Sequence, residues 1–370
     1  MLSEKDFISK PYLLTVEKGN FEWSAPSNIA LVKYWGKKPN QIPANPSISF
    51  TLNNCKTITK LGFKKKTSSI VLGETKEKFS FDFLFEGKPK EDFKPKIQKF
   101  FERISVYCFF LKDYHFTIDT QNTFPHSSGI ASSASGMAAL AMNIMSLEKA
   151  LNPKMTENYF YQKASFLARL GSGSACRSVK GNIVVWGKHG EIKNSSNLFG
   201  IEFPTVIHKN FDNYQDTILL VDKGEKQVSS TVGHDLMYNH PFAKQRFEQA
   251  HHNLSSIKTV LETGNLEAFI EIVESEALTL HAMMMTSTPY FILMKPNTLE
   301  IITKIWKFRT ETQIPVCFTL DAGANVHILY PENVSGATLQ FIKDELVGYC
   351  QNGLYICDEI GKGSQLIIDN

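Results

Sequence analysis

Along the first part of the chain, apolar residues recur at every second position. Residues 21–25 (FEWSA) run into Pro26, and 47–52 (SISFTL), 56–63 (KTITKLGF) and 69–72 (SIVL) alternate with the period of half-buried strands. The pattern predicts a strand-rich opening with antiparallel character. Over 93–111 the apolar spacing becomes helical, with Pro95 in the first turn, where proline is tolerated. A strand is predicted over 115–120, then a run of small residues, then strong helix formers over 137–147 that end near Asn152 and Pro153. Thr156 is placed to cap the next helix, which runs to Leu170 and stops at Gly171. Residues 182–186 (NIVVW) read as a buried strand.

The polar stretch 188–215, with Gly190, Gly200 and Pro204, places a domain boundary near Asp212, giving units over 1–212 and 213–370. The second unit restarts with a strand over 217–222. Two long helices follow, 241–262 and 266–285, broken at Gly264 and Asn265. Asn297 and Glu300 have capping-box spacing and predict a helix ending near 311. Strands over 316–320 and 326–330 flank the turn 321–325, and a helix over 335–349 and a last strand over 354–357 follow. Strands and helices interleave here as in a split βαβ, ferredoxin-like layer. The fold class is α/β (α+β), without internal repeat, low-complexity tract or heptad seam.

With 42% hydrophobic and 21% charged residues, the composition is that of an ordinary globular protein. A net charge of +3 gives no reason to expect nucleic acid or a membrane as partner, and the run Lys64, Lys65, Lys66 reads as a solvated strand end. The six cysteines form no CxxC pair, which argues against zinc and redox motifs; Cys108, Cys317 and Cys357 lie in apolar runs and are expected in the core. No basic-then-apolar leader pattern and no bilayer-length apolar stretch is present, so the expected location is the cytoplasm.

Four stretches bear on chemistry. In FPHSSGIASSASG (124–136), small residues precede a helix, so a polyanion can approach the unpaired N–H groups of the helix start, with the hydroxyls of Ser132, Ser133 and Ser135 able to bind phosphate oxygens or a metal. The run lacks the Gly-Lys-Ser/Thr end of a Walker loop and reads equally as close packing. In APSNIALVKYWGK (25–37), Lys33 is either a snorkelling surface residue or a partly buried cation awaiting an anion, and Asn28 is a neutral donor and acceptor nearby. RLGSGSACRS (169–178) places Ser172, Ser174 and Arg177 after a helix end, suited to an oxygen-rich anion or simply a glycine turn. Asp321 in DAGAN (321–325) is a turn-former or a general base.

These four, with PSISFTL (46–52), VSST (228–231) and TLDAGAN (319–325), resemble in order the diphosphomevalonate decarboxylase family of the GHMP kinase superfamily, over about 25–325. The pairing of NIALVKYWGK with GSGSACRS carries the decarboxylase branch; the serine loop alone would mark only the superfamily. The resemblance implies a ribosomal-S5-domain-2-like N-terminal domain with a left-handed βαβ crossover, a ferredoxin-like C-terminal domain, and a site in the cleft between them. It implies ATP, Mg²⁺ and (R)-5-diphosphomevalonate as ligands, isopentenyl diphosphate, CO₂, ADP and phosphate as products, and a homodimer. The alternative within the fold is a mevalonate 3-kinase or a phosphomevalonate decarboxylase. By resemblance, Asp321 accepts or orients the 3-hydroxyl proton, Lys33 neutralises the transferring phosphoryl, Arg177 grips the substrate carboxylate and Asn28 positions Arg177. Tyr34, Ser172, Ser174 and Ser229 hold the diphosphate. Ser132, Ser133 and the backbone around Gly129 hold the ATP phosphates and Mg²⁺, with Ser132 as a metal ligand and Ser135 and Ser49 in the same group.

The chain departs from the family pattern at three places: His126, Ser127 and Ser128 in the loop, Ala324 for the usual proline, and Thr231 where some members carry an arginine to the diphosphate. His126 reads as a loop-tip residue. His281, beside Met283, Met284 and Met285, is expected in the core or at an interface rather than on a metal, and His251 and His252 lie in a helix.

Overall fold

A computed structural model describes residues 2–67, 79–125, 130, 132–222 and 230–369. The strand expected over 69–72, the loop residues His126, Ser127, Ser128 and Gly129, and Ser229 lie outside the described residues, as does the side chain of Thr231. Among the described residues no helix is long and apolar enough to cross a membrane.

The chain begins with β1 (Lys18–Val32), a two-residue pair β2 (Lys37–Lys38) and β3 (Ile42–Pro43), and β4 (Ser47–Lys65). Then come β5 (Ser80–Phe85), β6 (Lys88–Pro89), α1 (Lys94–Ile104), β7 (Tyr114–Asn122), α2 (Ser132–Leu151), α3 (Glu157–Gly171), β8 (Ile183–Trp186) and β9 (Ile201–Glu202). The two strands read over 47–63 are one 19-residue strand, which pairs with β8 along its first part and with β7 along its second. Pro26 does not end β1, because it stands where the pairing with β4 shifts register, a position that tolerates a missing N–H. α1 stops at Ile104, short of the predicted 111. The next turn is drawn elsewhere: the Tyr107 carbonyl accepts from Ser9 and from Lys163, a buried amine paired with Glu148. Thr156 caps α3, accepting from Tyr159 N.

The second half contains β10 (Gln215–Leu219), α4 (Ser230–Asp235), α5 (Ala243–Thr263), α6 (Leu266–Met285), α7 (Pro296–Thr312), β11 (Cys317–Leu320), β12 (Val326–Tyr330), α8 (Ser335–Phe341), β13 (Tyr355–Glu359) and β14 (Gln365–Asp369). Gly264, at φ 80°, closes α5, and Asn265 caps α6 by accepting from Ala268 N. The capping-box reading of Asn297 is off by two residues: Pro296 sets the start, Thr298 Oγ1 accepts from Lys295 N, and Asn297 bonds to Tyr349 instead. β13 is not the last strand; β14 follows and pairs antiparallel with β1. Cys108 and Cys317 are buried, but Cys357 is exposed, since the strand period turns its neighbour Asp358 inward.

Among the described residues the strands form an eight-stranded sheet along β14-β1-β4-β7-β5-β6, with β8 and β9 joined through β4, a four-stranded sheet β11-β12-β10-β13, and the β2-β3 pair. α1 to α3 cover one face of the large sheet around a core that includes Phe100, Phe101, Phe116, Met142 and Phe166. α2 is apolar nearly all round because it is nearly all buried. The other face meets α5, α6 and one face of the small sheet through Phe50, Val185, Ile218, Leu254, Phe269 and Leu329. Phe318, Val326 and Ile328 turn to the small sheet's far side against α7. Burial on both faces explains why β11 and β12 read as continuous apolar runs.

Candidate active site

The site forms where the second half of β1 faces the turn between β11 and β12. Asn28 is buried just past the register shift. Its amide donates to Ser178 Oγ at 2.8 Å and to the Ser174 carbonyl at 3.3 Å, and its Oδ1 accepts from Arg177 Nε at 3.3 Å. Arg177 is itself 3% exposed; it also donates to Ser47 Oγ and lies 5.9 Å over the Trp186 ring. These partners are all neutral, and burial pulls the guanidinium down from its ordinary value. A buried cation held this way is an anion seat.

Lys33 is 2% exposed, and its Nζ stands 3.1 Å from Asp321 Oδ1. It is a buried cation rather than a snorkelling one. Burial pushes its amine down, the Asp321 carboxylate opposes that shift, and the Arg177 charge adds to it. Asp321 keeps about a third of its side chain exposed, 35%, so the carboxylate stays within reach of a ligand. The Lys33 peptide is held on both sides: its N–H donates to Glu276 at 2.8 Å, and its carbonyl accepts from Asn45 at 2.9 Å and Arg246 at 3.2 Å.

Tyr34 packs against Trp186 and His234, ring centroids 4.7 and 4.2 Å away, and burial pushes its phenol up. The segment carrying Ser172, Ser174 and Arg177 reaches this ring only because residue 173 is glycine: a Cβ there would lie 2.8 Å from the Tyr34 hydroxyl and 3.1 Å from Trp186. Ser172 and Ser174 are half-buried, and Ser172 Oγ lies 3.4 Å from Ser133 Oγ in the first turn of α2. The serine–glycine segment therefore faces a helix N-terminus whose opening residues, half-buried Ser132 and exposed Ser133, keep their hydroxyls accessible.

The structure does not bring every expected residue here. Ser135 is fully buried, 2.6 Å from Thr57 Oγ1 and donating to the Ser132 carbonyl, so its hydroxyl is committed inside the protein. Ser49 is fully buried in β4 between Ala30 and Val184. Ser135 lies in the first turn of α2 with Ser132 and Ser133 but turns its hydroxyl inward, and Ser49 lies within β4.

Sequence reasoning missed Ser47 and Ser178, which complete the Asn28–Arg177 network, and His234, whose Nδ1 accepts from Gly36 N at 2.9 Å. It also missed Glu276 and Arg246. Arg246 falls on the buried stripe of α5 with Ala250, Leu254, Ile257 and Leu261, and a charge on an apolar stripe was the available signal. His281 is in the core, as expected, with its Nε2 3.1 Å from the Asp321 carbonyl oxygen.

A family model for the diphosphomevalonate decarboxylase-like N-terminal domain matches residues 25–197, and one for the mevalonate 5-diphosphate decarboxylase C-terminal domain matches 217–358. A diphosphomevalonate decarboxylase from Debaryomyces hansenii is 29% identical over 337 residues, covering 86% of this chain and 81% of the relative. The solved mevalonate diphosphate decarboxylase from Staphylococcus aureus superposes with a TM-score of 0.79 at 27% identity, over 95% of this chain and 98% of that one. MDDEF in complex with MVAPP, AMPPCP and magnesium gives 0.78 at 28% identity, over 94% and 98%. The fold shared with these structures is a mixed α/β fold of two domains.

Proposed function

This chain belongs to the diphosphomevalonate decarboxylase family, and we propose that it decarboxylates (R)-5-diphosphomevalonate with ATP through the site built on Lys33, Asp321 and Arg177. The observation that carries this reading is the 3.1 Å Lys33–Asp321 pair beside buried Arg177, which donates to the neutral groups Asn28 Oδ1 and Ser47 Oγ.

A tertiary alkoxide is a poor leaving group and phosphate is a good one. Asp321 takes the proton of the 3-hydroxyl as its oxygen bonds to the γ-phosphorus of ATP and the bond to ADP breaks. The Lys33 ammonium stands where charge spreads over the transferring group and keeps Asp321 ionised before reaction. The C3–O bond then breaks to release phosphate, and the bond to the carboxylate breaks to release CO₂, its electron pair forming the double bond of isopentenyl diphosphate. Arg177, oriented by Asn28 and Ser47, holds that carboxylate. Tyr34, Ser172 and Ser174 border the diphosphate, with Ser229 assigned to the same group from the sequence.

Ser132 and Ser133, with the backbone around Gly129, take the ATP phosphates. A cavity beside them is lined by Phe83, Phe85, Phe93 and Asn122 and suits a flat base. Among the described residues no three His, Cys, Asp or Glu side chains are grouped to hold a metal. The Ser132 hydroxyl, an oxygen donor in the first turn of α2, would be the protein ligand to Mg²⁺ carried by nucleotide phosphates, and the ion would supply charge neutralisation there. Ser135 and Ser49 belong to the same group by resemblance, with both hydroxyls buried.

The finer fold assignment belongs to the same reading. The order β11-β12-β10-β13, with helices between β10 and β11 and between β12 and β13, supports a ferredoxin-like second domain from about residue 213. The ribosomal-S5-like first domain, the division near Asp212 and a homodimer are carried from the sequence.

The test is a product assay. Mevalonate, its 5-phosphate and its 5-diphosphate are each offered with MgATP, following ADP and CO₂ together. Equal ADP and CO₂ from the diphosphate alone is the expected result. ADP without CO₂ makes the protein a 3-kinase and removes Arg177's role, and CO₂ from the monophosphate moves the substrate.

A further inference from the structure

One element touches the backbone of both members of the lysine–aspartate pair. α6 carries Glu276 and His281, both buried. Glu276 accepts the Lys33 N–H at 2.8 Å and Asn253 Nδ2 at 2.6 Å, and it is ion-paired with Arg246 of α5, Nη1 to Oε1 at 2.9 Å. Arg246 Nη2 returns to the Lys33 carbonyl at 3.2 Å, so the Glu276–Arg246 pair grips the backbone on both sides of the Lys33 Cα. Next along α6, His281 Nε2 lies 3.1 Å from the carbonyl oxygen of Asp321. A carbonyl only accepts, so the proton is on Nε2. Burial pushes the imidazole down to about 4, which keeps that neutral tautomer at neutral pH.

Lys33 directly follows β1 of the large sheet, and Asp321 directly follows β11 of the small one, so no shared ladder fixes their separation. The far end of the turn is tied elsewhere, by Thr298 Oγ1 to the Ala324 carbonyl at 2.7 Å and by Asp222 N to Asn325 Oδ1 at 3.0 Å, while at the Asp321 backbone it is α6 that makes the contact. A helix is rigid and advances about 1.5 Å per residue, so two anchor points on it have a fixed spacing. We propose that α6 is the positioning template of this site: Glu276 holds the Lys33 peptide and His281 the Asp321 peptide, so that one helix sets the reach from ammonium to carboxylate.

This rests on the catalytic reading of Lys33 and Asp321 above, and the experiment separates the two. Steady-state ADP and CO₂ release would be measured for the wild type, His281→Leu, His281→Gln, His281→Asn and Asp321→Asn, with thermal midpoints and binding of a non-hydrolysable ATP analogue. Gln can place an N–H where Nε2–H stands; Asn is equally polar but too short. His281→Leu and His281→Asn are expected to lower kcat roughly 10- to 100-fold, the scale of an ångström of misplacement, with KM changed less than about twofold. His281→Gln is expected to recover most of that loss. Should His281→Leu not fold, the Gln/Asn comparison carries the result. Wild-type kcat in His281→Asn, equal losses in the Gln and Asn variants, or a rise in KM alone would overturn the template while Asp321→Asn stays inactive. An active Asp321→Asn would remove the reading beneath it.

Discussion

A guanidinium buried against an amide oxygen and a hydroxyl keeps its positive charge for a ligand. Arg177→Lys loses the planar fork and the Asn28 contact, and its kcat/KM for the diphosphate substrate is expected to fall roughly 10²-fold in initial-rate assays. Asp321→Asn should lose about 10²–10⁴-fold in turnover while nucleotide affinity, read by calorimetry, stays near wild type. Burial also leaves a pH signature. His234 is pushed down to about 3 and His281 to about 4, while the unfolded chain protonates histidine near 6.5. Below that value the unfolded state binds more protons than the folded one, so stability is complete above about pH 6.5 and declines as pH falls toward the folded values. At pH 5 each histidine withdraws about 2 kcal/mol, which urea melts at pH 7.5 and 5 would detect. Lys33, Asn28, Arg177 and Asp321 were singled out in the sequence, but the residues alone left each an ordinary role open, from a snorkelling lysine to a turn-forming aspartate, and it was the family resemblance that grouped them. The contacts of Ser47 and His281 were not legible: an isolated hydroxyl or imidazole gives no local sign of a partner 130 or 40 residues away.

Helices and strands were read best where a local device sets their limits. Gly264 and Asn265 separate α5 from α6 in the sequence and in the structure for the same reason, a left-handed residue followed by a cap. Gly264→Ala would add a strained φ and set a Cβ 2.2 Å from His208 Nδ1, so the expected cost is about 2 kcal/mol, visible as a lower thermal midpoint. Elements were misread where a distant contact decides. α1 ends at Ile104 because the Lys163–Glu148 pair and Ser9 engage the backbone that follows. The join within β4 is another such place. Asn53, Asn54 and Cys55 point their N–H groups at the Asp358 carboxylate, at 2.8, 2.7 and 2.7 Å, and the strand passes through its irregularity because those donors are satisfied from the other sheet. Asp358→Ala should cost about 3 kcal/mol in denaturant unfolding, with the loss shared by both sheets rather than confined to β13.

At the scale of the molecule, the site lies at a seam that is also a core. Residues from the large sheet, α5, α6 and the small sheet share one apolar cluster, so the two halves are joined by interior packing beneath the chemistry. The two-part α/β organisation was legible from the switch between periodicities and the polar stretch before β10. The return of the chain into its first sheet was not, because residues 361–369 offer only short polar and apolar alternation, and their partner is β1, more than three hundred residues earlier.

That return has a consequence for synthesis. Chains emerge from the ribosome in order, and a first domain ordinarily folds before the rest has been made. Here β1 receives its outer neighbour only when 365–369 has been translated, so Phe21 and Trp23 lie on an unclosed sheet margin throughout elongation. A polypeptide released early, even one retaining every residue of the proposed catalytic set, would leave the ribosome with that margin unpaired and its backbone N–H and C=O groups open to another strand.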